Sequence, residues 1–183
     1  SNYILAKDAY PKKKPKIQVV CPCCGNIIEE NYNNSETICP SCKTTFNFKN
    51  GPVKGKNYIC PTCNEKNSLT DGNKPNYRLY AKLILKKNQK KEYLKTTQDD
   101  LDKYNECKQT LSELLNNKEV SLPELNLEDG YNTQQAINYG FKSWKDFFND
   151  RQLLLLSLLY KEIGQISDEK LRSLFSMLFS STL

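Results

Sequence analysis

No histidine occurs among the 183 residues. A transition-metal site here must therefore be all-thiolate, which favours an ion that holds structure over one that keeps a coordination position open for chemistry. Long apolar runs are also missing. The stretch "LLLLSLLY" (153–160) is far short of the roughly 18 residues that cross a membrane, so no membrane partner is expected. The first residues lack the charged-then-apolar layout of a secretory signal, which places the cysteines in a reducing, cytoplasmic setting. Glycine is sparse and tryptophan occurs once, as Trp144. An apolar content of 38% is low for one well-packed core and ample for a small helical one, and the length suits one or two domains. Ser1 and Asn2 read as what a cleavage step leaves, and the text stops at "FSSTL", so an excised piece of a longer protein is expected.

What is abundant is lysine, unevenly spread. Residues 1–95 carry 18 Lys/Arg against 7 Asp/Glu, whereas residues 96–183 carry 9 against 14. The contrast predicts a basic module over 1–95 and an acidic one over 96–183. An ion held by four thiolates would subtract two charges from the basic half and leave it basic. Lysine excess of this kind suits a nucleic-acid face, and it equally suits a well-solvated surface.

Seven of the eight cysteines lie between Cys21 and Cys63, in "CPCCG", "CPSC" and "CPTC". The two-residue gap lets both sulfurs of one turn point at one ion, and a zinc ribbon joins two such turns through β-hairpins. Cys21, Cys24, Cys39, Cys42, Cys60 and Cys63 are the candidate ligands, for about one structural zinc. Three assignments remain open. Cys21/Cys24 with Cys39/Cys42 leaves 14 residues between pairs, with "NIIEE" and "ETI" as strands. Cys39/Cys42 with Cys60/Cys63 leaves 17, with "TTFNF" and "KNYI" as strands around a Gly51-Pro52 turn. The outer pairs, 35 residues apart, could also close over the middle one. The first is marginally favoured. Two full sites would need Cys23, inside a turn, and Cys107, on a helix, and are disfavoured. A redox dithiol is the competing chemistry.

"YRLYAKLILKK" (77–87) and "KEYLK" (91–95) read as a hairpin that continues the basic module. With Lys54 and Lys56, its Lys82, Lys86, Lys87, Lys90 and Lys91 are the candidate nucleic-acid contacts, joined by the lysines at 12–14 and interleaved with Tyr77, Tyr80 and Tyr93. Such a mixture suits phosphate contact and base stacking, provided the lysines share one face. From Thr97, an expected N-cap, the period becomes helical: Leu101, Tyr104, Cys107, Leu111, Leu114 and Leu115 form a stripe. "TQQAINY" reads as a short helix ended by Gly140, followed by an aromatic group of Trp144, Phe147 and Phe148. "DRQLLLLSLLYKEIG" reads as a helix buried on several sides, and "SDEKLRSLFSMLFSS" as a helix with a serine cap. The fold class expected is α+β: a thiolate zinc ribbon, a hairpin and a C-terminal helical bundle.

The order of these signals resembles an internal region of bacterial and archaeal DNA amino-methyltransferases that carry a zinc-ribbon segment. Repeated "CPxC" turns precede Tyr80-Ala81, and then come Gly140, Trp144, Phe147, Phe148, Arg151, Gln152, Leu153 and the closing "FSSTL". The resemblance spans nearly the whole chain through short motifs. It implies a parent enzyme that methylates adenine or cytosine amino groups with S-adenosylmethionine, acting on DNA. The family's Gly-rich cofactor turn and its "DPPY"-type motif do not occur here, so the chain by itself is expected to have no catalytic or cofactor-binding residues. The alternative is a free-standing zinc-ribbon adapter for nucleic acid or protein.

Overall fold

Alternation decides the first strands. In "KIQVV" Ile17 and Val19 fall on one side and are buried, while Lys16 on the other side is exposed. The computed structural model describes residues 1–7, 13–60, 63–87 and 90–181, so Lys12 lies outside the described residues. The described chain forms two compact units, Ser1–Gln98 and Asp99–Leu183.

The first unit is built from small antiparallel pieces. Strands β1 (Ile4–Ala6), β2 (Lys16–Val20) and β3 (Ile27–Asn31) form a sheet in that order, with Ile4 opposite Val19 and Val20 opposite Ile27. Strands β4 (Glu36–Ile38) and β5 (Thr45–Asn47) form a hairpin. A further sheet runs β6 (Val53–Lys54), β7 (Asn57–Ile59) and β8 (Lys66–Ser68). Strands β9 (Ala81–Leu85) and β10 (Lys91–Lys95) make the last hairpin, shorter at its start than "YRLYAKLILKK" suggests, since Tyr77–Tyr80 lie outside it. Strands β1, β2, β6 and β8 are additions to the strands expected from sequence.

One apolar cluster holds the first two of these pieces together. Ile17, Val19, Phe46 and Phe48 are buried with Cys21 and Cys39, and Tyr3, Ile4 and Ile28 pack against them. Tyr3 is stitched to both hairpins: its N–H donates to Phe48 O and its carbonyl accepts from Val20 N, each at 2.9 Å. Its ring meets Phe46 edge-on, with centroids 5.8 Å apart. Gly51 is required where the N-terminus arrives, because a Cβ there would collide with the Ser1 side chain.

The second unit is helical. Helix α1 (Gln98–Asn116) starts directly after Thr97 and turns the expected stripe inward, with Leu111 buried and Tyr104, Cys107, Leu114 and Leu115 half-buried. Helix α2 (Gln134–Asn138) ends at Gly140, whose φ of 81° continues the chain away from the helix axis. A 3-10 turn over Trp144–Phe147 is anchored by Asp146, whose carboxylate accepts from the N–H groups of Lys142 and Ser143, both at 2.9 Å. The ring neighbours there are Phe141, Phe147 and Trp144, rather than Phe148, which lines a separate apolar cavity with Tyr160 and Phe179.

Helix α3 (Asp150–Gly164) begins at a reciprocal cap: Asn149 Oδ1 accepts from Gln152 N, and Gln152 Oε1 from Asn149 N, each at 3.0 Å. Helix α4 (Glu169–Ser181) is capped by Asp168, whose carboxylate accepts from Leu171 N at 3.0 Å, and not by the serine before it. The leucines of α3 are not enclosed all round: Leu154 is buried, whereas Leu155 and Leu159 are 56% and 49% exposed.

Candidate metal centre

Each Cys-x-x-Cys pair occupies the connection of a hairpin. Cys21/Cys24 link β2 to β3, Cys39/Cys42 link β4 to β5, and Cys60/Cys63 link β7 to β8. The three connections share one backbone pattern. The N–H of the first cysteine donates to the carbonyl five residues on (Cys21 to Asn26, Cys39 to Thr44, Cys60 to Glu65), each at 2.9 Å. The N–H four residues on returns to the first cysteine's carbonyl, at 3.0 Å from Gly25 and 2.9 Å from Lys43 and Asn64. The residue after each second cysteine is left-handed, with φ of 70° at Gly25, 61° at Lys43 and 59° at Asn64. In the first two turns that geometry directs backbone N–H groups at the first cysteine's sulfur, those of Cys23 and Cys24 at Cys21 and those of Ser41 and Cys42 at Cys39.

The apolar cluster brings the first two turns face to face. The Sγ atoms of Cys21, Cys24, Cys39 and Cys42 all lie within 4.8 Å of one another. The contacts are crossed: Cys21 meets Cys42, and Cys24 meets Cys39, each at 3.6 Å. These separations are far longer than a disulfide. Four sulfurs about 2.3 Å from a central ion would stand about 3.8 Å apart. The cluster can therefore hold a tetrahedral ion with little adjustment, and its all-sulfur donor set is compatible with structural zinc. Among the described residues this is the one group of three or more cysteine or carboxylate ligands within mutual reach. Cys60 and Cys63 stand outside it.

The thiols are electrostatically unequal. Burial pushes the Cys21 thiol up to about 12. The Thr44 hydroxyl, 3.3 Å away, and the Thr44 amide hold Cys42 down at about 6. Cys39 is lowered mainly by the backbone amide of Cys42. A cation is what would make all four thiolates together, since metal binding displaces the thiol protons. Thr44 and the left-handed Lys43 were not singled out from sequence. Aligning the three turns on their cysteines would have exposed both positions.

The candidate nucleic-acid contacts are distributed more widely. Lys54 lies on β6 and Lys56 in the turn to β7, both exposed. In the β9–β10 hairpin, Lys91 opposes Leu85 and Leu94 opposes Lys82, so alternation puts Lys82 and Lys91 on opposite faces. Lys86 is paired with Glu92 at 2.9 Å. Lys87 and Lys90, at the hairpin's end, are exposed. Lys86 and Lys91 both border a cleft shared with Gln18 and Ile27 of the first sheet. Lys82 and Lys91 therefore do not share one face of the hairpin.

These features define a mixed α+β chain with several small antiparallel sheets and a four-cysteine cluster able to hold a metal ion. No family model, curated protein or solved structure matches the chain. No helix among the described residues is long and apolar enough to cross a membrane.

Proposed function

We propose that the chain is a zinc-ribbon segment that contacts DNA through its basic unit, within a larger S-adenosylmethionine-dependent DNA amino-methyltransferase. The observation that carries the zinc part is the crossed four-sulfur cluster, with its closest pairs at 3.6 Å. Cys21, Cys24, Cys39 and Cys42 would hold the ion, and the ion would supply folding energy to hairpins whose strands are only three to five residues long. The DNA part is supported by the surplus of lysine over acid in residues 1–95. The methyltransferase part is supported by the motif order from the "CPxC" turns to "FSSTL". The chain carries no catalytic residue in this reading. It binds and orients, and the chemistry belongs to the rest of the parent.

Because lysine is a point charge that meets phosphate without reading base edges, DNA binding should be weak and indifferent to sequence. Lys82 and Lys91 on opposite faces of the hairpin favour a few contacts at a time. Fluorescence anisotropy against a short duplex should give a log–log salt slope of about −0.9 per phosphate contact. Charge reversal at Lys87, Lys90 and Lys91 should reduce that slope. Absence of binding at low salt would end the DNA-facing reading and leave a scaffold. Reading the full-length frame tests the parent: a downstream "DPPY" motif supports the methyltransferase, and its absence supports the free-standing adapter.

A further inference from the structure

The four-sulfur cluster has a second chemistry open to it beside metal binding. Its sulfur–sulfur contacts at 3.6 Å both run between turns, from Cys21 to Cys42 and from Cys24 to Cys39. Burial divides each pair in the same way. Cys21 and Cys39 are 1% and 0% exposed, whereas Cys24 and Cys42 are half-buried. Every crossed contact therefore joins a sulfur that solvent reaches to one that it does not. A disulfide needs about 2.05 Å between sulfurs, so closing either pair takes an approach of about 1.5 Å, which is within the reach of side-chain rotation. Ile17, Val19, Phe46 and Phe48 already hold the two turns face to face, so the sulfurs need not search for one another.

We propose that the cluster is an oxidation site, which hydrogen peroxide closes into two crossed disulfides, Cys21–Cys42 and Cys24–Cys39, releasing the ion it holds. The half-buried sulfur of Cys42 or Cys24 attacks one peroxide oxygen, the O–O bond breaks and hydroxide leaves, giving a sulfenic acid. The buried partner's sulfur then attacks the sulfenic sulfur. The S–S bond forms, the S–O bond breaks and a second hydroxide leaves. Each bridge thus oxidises two thiolates by two electrons and reduces one peroxide to two waters, with the protons drawn from solvent. Two bridges consume all four thiolates, and the divalent ion departs with its oxidation state unchanged. Bridges inside each turn would leave the β2–β3 and β4–β5 hairpins joined by apolar contacts alone. Crossed bridges replace one cross-link by another and keep the hairpins together.

The release of an ion rests on the zinc reading of the cluster, and the experiment separates that reading from the oxidation chemistry. The full chain is loaded with zinc, freed of reductant and loose metal, and titrated with hydrogen peroxide while a colorimetric chelator reports free zinc. Remaining thiols are then alkylated and the chain is cleaved after glutamate without reduction. Glu29, Glu30 and Glu36 lie between the two turns, so their cysteine-bearing peptides stay linked only if bridges run from turn to turn. Fragmentation of the linked peptide in a mass spectrometer locates each bond. The expected result is zinc release in step with loss of the thiols of Cys21, Cys24, Cys39 and Cys42, both crossed bonds in the digest, and a strand signal in circular dichroism that survives oxidation. Dithiothreitol and added zinc should restore the starting state. Bonds from Cys21 to Cys24 and from Cys39 to Cys42 would overturn the proposal, as would a bond to the exposed Cys23 or sulfinic acids without bonds. Zinc retained on four intact thiols after Cys23 has been oxidised would overturn it too. A chain that takes up no zinc yet forms both crossed bonds would overturn the zinc reading and uphold the oxidation site.

Discussion

At the scale of residues, the position after each second cysteine shows what the turn demands. Gly25, Lys43 and Asn64 all have positive φ, which glycine adopts freely, asparagine readily and lysine only with strain. Gly25→Val should therefore weaken metal retention by about 1–2 kcal/mol through backbone strain alone, since the space beside Gly25 is ordinary. Lys43→Gly should be neutral or slightly favourable, because relief of strain offsets the entropy a new glycine loses on folding. Thr44→Val keeps the shape beside Cys42 and removes the hydroxyl 3.3 Å from its sulfur. Loss of such an outer contact should lower zinc affinity about tenfold. Chelator-competition titrations of the three variants measure all of this, and an unchanged Thr44→Val affinity would show that the hydroxyl does not tune the sulfur. Spacing marked six cysteines, and the four that cluster are among them. Their pairing was not, because 14 and 17 intervening residues both permit a two-turn site, and the choice is made by apolar side chains distant in sequence.

Those side chains act at the scale of elements. Phe48 follows β5 and is fully buried, Phe46 lies on β5, and both meet Ile17 and Val19 of β2, so the two hairpins that present the cysteines share one core. Phe48→Ala should cost about 3–5 kcal/mol and release the metal together with the fold. Loss of metal in step with loss of structure, followed by denaturant titration, is the expected outcome; a variant that unfolds its core yet keeps zinc would show that the turns stand alone. In the helical unit the reciprocal cap of α3 invites a smaller change. Asn149→Ala should cost about 0.5–2 kcal/mol, read as a lowered midpoint with unchanged denaturant slope. Helical periodicity revealed α3 and its ends because "DRQLLLLSLLYKEIG" is long and strongly patterned. It misjudged the surroundings, since an all-round leucine content says that a helix is sticky and not that every side has a neighbour. Strands β6 and β8 escaped notice for the opposite reason: at two and three residues they are too short for any alternation to register.

At the scale of the whole molecule, the helical unit is the less self-sufficient. Helix α4 has no buried residue, and Leu171, Leu174, Phe175 and Leu178, at helical spacing on one face, are between 45% and 52% exposed. Met177 beside them is 72% exposed. An apolar ridge of this extent is unusual on a finished surface. The ridge should light up a dye such as ANS, and the double variant Leu174→Glu/Leu178→Glu should abolish most of that fluorescence. Because Leu174 and Leu178 are each only about half-buried, the same variant should cost no more than about 1–3 kcal/mol. The unit with the cysteine cluster supplies an internal control, since the substitutions lie outside it and metal content should not change. A dark ridge in the wild-type chain would mean that α4 is already covered.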